Sequence, residues 1–108
     1  MKMNMIESIK KIFGIGTVVN YAALIRQGAI IVDVRTPGEY SRGHIRGSVN
    51  ISVNQLKDSL HLLPDKQKSI IACCATGMRS SLAVNTLKSN GFTHVYNGGS
   101  WTELEIKI

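Results

Sequence analysis

One segment of this sequence has the residue types and spacing to do chemistry. Cys74-Ala75-Thr76-Gly77-Met78-Arg79 leaves the most apolar stretch of the chain, Ser69-Ile70-Ile71-Ala72-Cys73, and runs straight into a helical stretch beginning near Ser80. A tight loop containing Gly77 lets successive backbone N–H groups converge on one centre, an anion nest in front of a helix N-terminus. The same field favours a thiolate, since a free thiol titrating near about 8.5 falls to between about 3.5 and 7.5 in such surroundings. No carboxylate lies between Asp65 and Glu103, whereas Lys66, Lys68, Arg79 and Lys88 are basic. Only folding can bring Asp33 or Glu39 close. The chemistry this permits is attack by a Cys74 thiolate, with the N–H groups of Ala75, Thr76, Gly77, Met78, Arg79 and Ser80 holding the anion that results.

Neighbouring residues divide by geometry. Successive strand side chains point to opposite faces, so Cys73 faces away from Cys74 and reads as packing. Arg79 either contacts a bound anion or braces the loop's carbonyls. Asp33 and Arg35 share a strand face and read as a structural ion pair near the loop. His44, His61 and His94 are scattered and there is no C-x-x-C, so no metal site is expected; the chemistry asks for no cofactor.

The elements that must carry this loop alternate. Thr17-Val18-Val19 is a short β-branched run. Asn20 is placed to cap a helix over Tyr21 to Gln27, and Gly28 to stop it. Ala29 to Val34 is a strand, Thr36-Pro37-Gly38 a turn leading into a short helical turn to Arg42, and Ser48 to Ile51 a third strand. Val53, Leu56, Leu60 and Leu63 form a helical stripe ended by Pro64. Ser69 to Cys73 is a strand buried on both faces, Ser80 to Asn90 a helix, His94 to Tyr96 a last strand, and Ser100 a cap for a final short helix. Strands alternating with helices specify a three-layer α/β fold around a central, mostly parallel, five-stranded sheet with helices on both faces. In such a sheet ligands bind beyond the carboxyl ends of the strands, which is where Cys74 stands.

Composition narrows the class. The chain has 108 residues, 44% apolar, with 13 Lys and Arg against 7 Asp and Glu for a net charge of +6. That is one domain able to bury roughly 65% of its unfolded surface, which excludes disorder. Adjacent cysteines close no useful loop and exclude a disulfide scaffold. No stretch reaches the roughly 18 apolar residues of a membrane span, and the start lacks a signal peptide's apolar region, so a reducing cytoplasmic setting is expected. Met5, Ile6, Ile9, Ile12 and Phe13 share one helical face, so residues 1–16 read as an N-terminal amphipathic extension and residues 17–108 as the domain. The extension either packs on that domain or, through residues 1–13, touches a membrane surface. Outside Lys10-Lys11 there is no basic cluster and no interleaved aromatics, so nucleic acid is not an expected partner.

The residues quoted carry a resemblance. Cys74-Ala75-Thr76-Gly77-Met78-Arg79-Ser80 is similar to the active loop of the single-domain rhodaneses, sulfurtransferases of the rhodanese-homology family. Ile31-Val32-Asp33-Val34-Arg35-Thr36-Pro37-Gly38-Glu39-Tyr40, continuing through Gly43-His44-Ile45, Gly47-Ser48 and Asn50-Ile51, resembles a second family signature. Gly91-Phe92 with His94 to Gly99 and Trp101 resembles a third. The resemblance spans about Val18 to Leu104. It implies a Cys74 persulfide, formed from a small anionic sulfur donor and passed to a thiol or cyanide-like acceptor, including a partner protein's thiol. It also implies that His44 is a structural hydrogen-bonding residue; Trp101 either plugs the core or lines the pocket mouth. Ala75 and Thr76 depart from thiosulfate-preferring members, whose positions after the nucleophile are often basic. Two other classes compete. Phosphatases and arsenate reductases of related fold use a C-x₅-R loop, one residue longer than the spacing from Cys74 to Arg79. Rhodanese-like domains also serve as non-catalytic binding modules, which the presence of Cys74 opposes.

Overall fold

The computed structural model describes residues 18–108; the amphipathic face of residues 1–13 lies outside them. Helix α1 (Tyr21–Arg26) starts where Asn20 accepts a hydrogen bond from the Ala23 N–H, as the sequence predicts. Strand β1 (Ile30–Asp33) leads to α2 (Pro37–Ser41), which begins with a reciprocal cap between Thr36 and Glu39 and a proline in its first turn. Then follow β2 (Val49–Asn50), a 3-10 segment (Leu56–Leu62), β3 (Ile70–Cys74), α3 (Met78–Ser89), β4 (Val95–Ser100) and α4 (Trp101–Ile106).

The sheet has four strands, all parallel, in the order β2-β1-β3-β4. The expected fifth strand is missing among the described residues. Val18 and Val19 are in no strand, and Val18 is 90% exposed. A strand needs a partner ladder, and no strand of the sheet pairs with Val18 or Val19. The Leu56 stripe also departs from expectation, forming 3-10 turns kinked at Ser59 rather than an α-helix. Its last residues run towards Pro64, which cannot continue a helix.

Each sheet face buries its own apolar cluster. Val32, Ile70, Ala72 and Cys74 pack under α3 and the 3-10 segment through Leu56, Ala83, Val84 and Leu87. Ile31, Ile71 and Cys73 pack on the other face beneath Leu104, with Tyr21, Leu24 and Ile25 of α1 closing over them. Helices therefore cover both faces, and Cys73 and Cys74 fall on opposite sides, as strand alternation requires. The closest approach is at Gly98. A Cβ there would stand 2.9 Å from both Ile71 Cγ2 and Leu104 Cδ2 and 3.1 Å from the Ala72 carbonyl oxygen. Gly98→Ala is thus expected to cost about 1–3 kcal/mol by overpacking. Chemical denaturation would measure it, and a midpoint equal to the parent's would contradict this packing.

Candidate active site

Strand β3 ends at Cys74, and the next three residues turn the chain into α3. Gly77 makes the turn possible, with φ +98° in the left-handed region, and it caps the helix without supplying a side-chain acceptor. The first-turn N–H groups of α3 therefore need another partner. The Cys74 sulfur takes that place. It accepts hydrogen bonds from the Gly77 N–H at 2.9 Å and the Ser80 N–H at 3.3 Å, and lies 3.5 Å from the Ser80 hydroxyl. Cys74 and Ser80 are fully buried, Ala75, Thr76 and Met78 are exposed, and Gly77 and Arg79 are intermediate.

The electrostatics separate the two thiols. Burial raises the pKa of Cys74, but the Ser80 hydroxyl and the N–H groups of Ser80, Gly77 and Thr76 outweigh it, leaving this thiol below the ordinary cysteine value. Cys73 has no such donors. Burial, reinforced by the Asp33 carboxylate, pushes it up to about 12. Of the two thiols, Cys74 is therefore the one that ionises more readily.

Asp33 and Arg35 form the ion pair that their spacing suggests. The Arg35 guanidinium grips both Asp33 oxygens, with Nη2 2.7 Å from Oδ2 and Nε 3.0 Å from Oδ1. Further guanidinium N–H groups donate to the Gly43 carbonyl at 2.7 Å and the Glu39 carbonyl at 3.3 Å, and the Trp101 ring stacks over it at 4.7 Å. Trp101 is thus a partly buried lid on this pair. His44, although exposed, hydrogen-bonds the Tyr40 carbonyl through Nδ1 at 2.7 Å and stacks on the Tyr40 ring, while His61 and His94 are exposed.

Of the two roles open to Arg79 from sequence, bracing the loop carbonyls is not what the side chain does here. Its guanidinium lies on Glu39, with Nη1 2.6 Å from Oε1 and Nη2 2.9 Å from Oε2, so it is not hydrogen-bonded to loop carbonyls. The two residues are 40 positions apart, and only the packing of α2 beside the loop brings the acid in. This pairing, first of all, and the Thr36 contacts hold the Glu39 carboxyl down to about 2. Sequence reasoning also gave Asn97 no role beyond its place in the third motif. Its Oδ1 accepts from the Ser80 hydroxyl at 2.7 Å and from the Gly99 N–H at 2.9 Å, tying β4 to the base of the loop. A polar residue between the expected strand His94 to Tyr96 and Gly98-Gly99 was the available signal. No group of His, Cys, Asp and Glu among the described residues is arranged to hold a metal ion, and no helix among them is long and apolar enough to cross a membrane.

A family model described as rhodanese-like domain matches residues 17–105. The chain belongs to the rhodanese family. Within it, this rhodanese-like chain is 32% identical over 74 residues to the thiosulfate sulfurtransferase PspE of Escherichia coli, covering 68% of itself and 71% of that protein. It is 35% identical over 75 residues to the thiosulfate sulfurtransferase GlpE of Pseudomonas fluorescens, covering 69% and 68%. The rhodanese fold is equally plain in solved structures. A rhodanese with anions from E. coli superposes with a TM-score of 0.67 at 31% identity, over 70% of this chain and 91% of that one. The human single-domain sulfurtransferase TSTD1 gives 0.71 at 27%, over 82% and 91%.

Proposed function

We propose that this protein is a sulfurtransferase that carries sulfane sulfur on Cys74. The observation that carries the reading is the convergence of the Gly77 and Ser80 N–H groups on the Cys74 sulfur at 2.9 and 3.3 Å. A centre that stabilises a thiolate also stabilises a persulfide anion, with the extra sulfur lying among the N–H groups of Ala75 to Ser80. In the first half-reaction the thiolate attacks the outer sulfur of thiosulfate. The S–S bond of the donor breaks, sulfite leaves with the electron pair, and a Cys74 persulfide remains. In the second, cyanide or a thiolate attacks the terminal sulfur and the Cys74 thiolate leaves. No general base is needed, because no proton is transferred in either displacement. The relatives named thiosulfate sulfurtransferase support the reaction class, and a reducing cytoplasmic setting suits a free thiol.

The donor follows from charge. Thiosulfate carries two negative charges, yet the loop offers neutral, exposed Ala75 and Thr76, and its one cation, Arg79, already faces Glu39. Thiosulfate is therefore a working but poor donor whose KM rises with salt. Arg79 and Glu39 are 33% and 30% exposed, so solvent screens their attraction and the pair is weak. Glu39→Gln keeps a side chain able to complete the Thr36 cap while releasing the guanidinium. It is expected to lower the thiosulfate KM, and Ala75→Arg or Thr76→Lys should lower it several-fold, since an added attraction of ~1 kcal/mol is about fivefold. Steady-state kinetics with thiosulfate and cyanide across a salt series would measure this. A parent KM that is already low, insensitive to salt and unmoved by all three substitutions would rule out a limit set by missing cations. The reading itself is tested by mass: incubation with thiosulfate should add one sulfur, and cyanide should remove it.

A further inference from the structure

The Ser80 hydroxyl has one proton and three acceptors within reach: Asn97 Oδ1 at 2.7 Å, the Gly77 carbonyl at 3.0 Å and the Cys74 sulfur at 3.5 Å. The orientation of the Asn97 amide decides among them. Its oxygen accepts the Gly99 N–H at 2.9 Å, and turning the amide round would set an NH₂ group against that N–H. An acceptor therefore faces Ser80, and 2.7 Å is the ordinary length of an O–H···O bond, so here the hydroxyl donates to Asn97. The Ser80 oxygen is then left to accept from the Cys74 S–H. This arrangement satisfies a thiol. A thiolate has nothing to donate and needs the hydroxyl proton that Asn97 is holding.

We propose that Asn97 is a positioning residue that holds the Ser80 hydroxyl proton away from Cys74 while the sulfur is protonated and gives it up when the sulfur ionises. On ionisation the Cys74 proton leaves to water and the electron pair stays on sulfur. The Ser80 O–H rotates from Asn97 to the sulfur, and Asn97 Oδ1 keeps its bond to the Gly99 N–H. Strand β4 thereby opposes the ionisation that the loop N–H groups promote. The inference takes its importance from the reading of Cys74 as a sulfur carrier, but its test needs no turnover.

The charged and titratable groups around Cys74 stay constant in the variants below. They are Arg79 of α3 with Glu39 of α2, and the Asp33–Arg35 pair beside Cys73 at the end of β1. The 3-10 segment, which packs on the Cys74 face, carries exposed Lys57, Asp58 and His61; α4, with exposed Glu103 and Glu105, and Tyr96 of β4 pack on the opposite sheet face.

The test follows thiolate absorbance against pH in the full chain carrying Cys73→Ser, which leaves one thiol. Asn97 is exposed, so its truncation removes little packing. Asn97→Ala is expected to lower the Cys74 midpoint by about one unit, or tenfold more thiolate below it. In a Ser80→Ala background the same substitution should move nothing. Asn97→Asp keeps both acceptor contacts and binds the hydroxyl more tightly. It should raise the midpoint, and raise it more with Ser80 present than with Ser80→Ala, where only the added charge acts. A midpoint that rises or stays put in Asn97→Ala, or shifts that are equal with and without Ser80, would overturn the proposal. Titrations that behave as expected in a chain that takes up no sulfur would instead defeat the sulfurtransferase reading and leave this inference standing.

Discussion

Cys74→Ser is expected to abolish sulfur transfer, by about a thousandfold or more, while Cys73→Ser leaves turnover within a few-fold of the parent. On the proposed mechanism Cys74→Ser removes the atom that would carry the sulfur, and losses of this order follow when a covalent nucleophile is removed. The adjacent thiol cannot substitute. Cys73 faces the other side of the sheet, among Ile31, Ile71 and Leu104, and with its thiol pushed up to about 12 it stays protonated at neutral pH. Cys73→Ser places a hydroxyl in that apolar cluster and should cost about 1–3 kcal/mol of stability without touching the chemistry. Alkylation gives an independent readout. Cys74, held below the ordinary cysteine value, should react increasingly as pH rises through a midpoint lower than that of a free thiol. Cys73 should stay inert until far higher pH. Thiocyanate production and peptide fragmentation of the persulfide would check the assignment. Sulfur carried by Cys73, or equal loss in both variants with the fold intact, would refute it.

Arg35→Met is expected to destabilise the fold by about 3–5 kcal/mol, the cost of leaving a buried charge without its partner. Asp33 is fully buried and Arg35 is 5% exposed, and the guanidinium also satisfies the Gly43 and Glu39 carbonyls. The loss is a large fraction of the 5–15 kcal/mol that typically holds a domain together. At roughly 4–8 °C per kcal/mol, Tm should fall by about 12 °C or more. The double variant Asp33→Asn with Arg35→Met should recover part of the loss, because it no longer buries an unpaired charge. The two residues lie in one network, so the coupling between their effects is the quantity to extract. Calorimetry of the two single variants and the double would supply it. A single-variant cost below about 1 kcal/mol, or no recovery in the double, would show that the pair is not what holds the β1–β2 connection.

Much of this was legible in the chain itself, because it is set by local rules. Asn20 announces the start of its helix through a side chain that reaches the backbone N–H three residues on. The apolar run from Ile70 to Cys73 specifies a strand buried on both faces, and strand alternation separates Cys73 from Cys74 without any knowledge of the fold. Gly77 and Ser80 around Cys74 are local too, since the hydrogen bonds that place the sulfur span three and six residues. What the sequence overstated was the Thr17-Val18-Val19 run. A strand exists only if a partner ladder is within reach, and β-branched residues alone do not supply one.

Three decisions belonged to tertiary structure. The packing of α2 beside the loop gave the Arg79 charge to Glu39 across 40 residues, changing what the mouth of the site offers an anion. The pairing of β4 with β3 sets Asn97 opposite Ala72, two residues before Cys74, and brings its amide oxygen within 2.7 Å of the Ser80 hydroxyl. The collapse of Trp101 onto Arg35 chose its role as a lid on the ion pair. In each case the partners come from different elements, and their meeting depends on how helices and strands settle on the sheet. Periodicity, capping and turn chemistry act within a few residues. They determined the sulfur and its nest, while the charge and the hydroxyl proton around that sulfur were settled by contacts between distant parts of the chain.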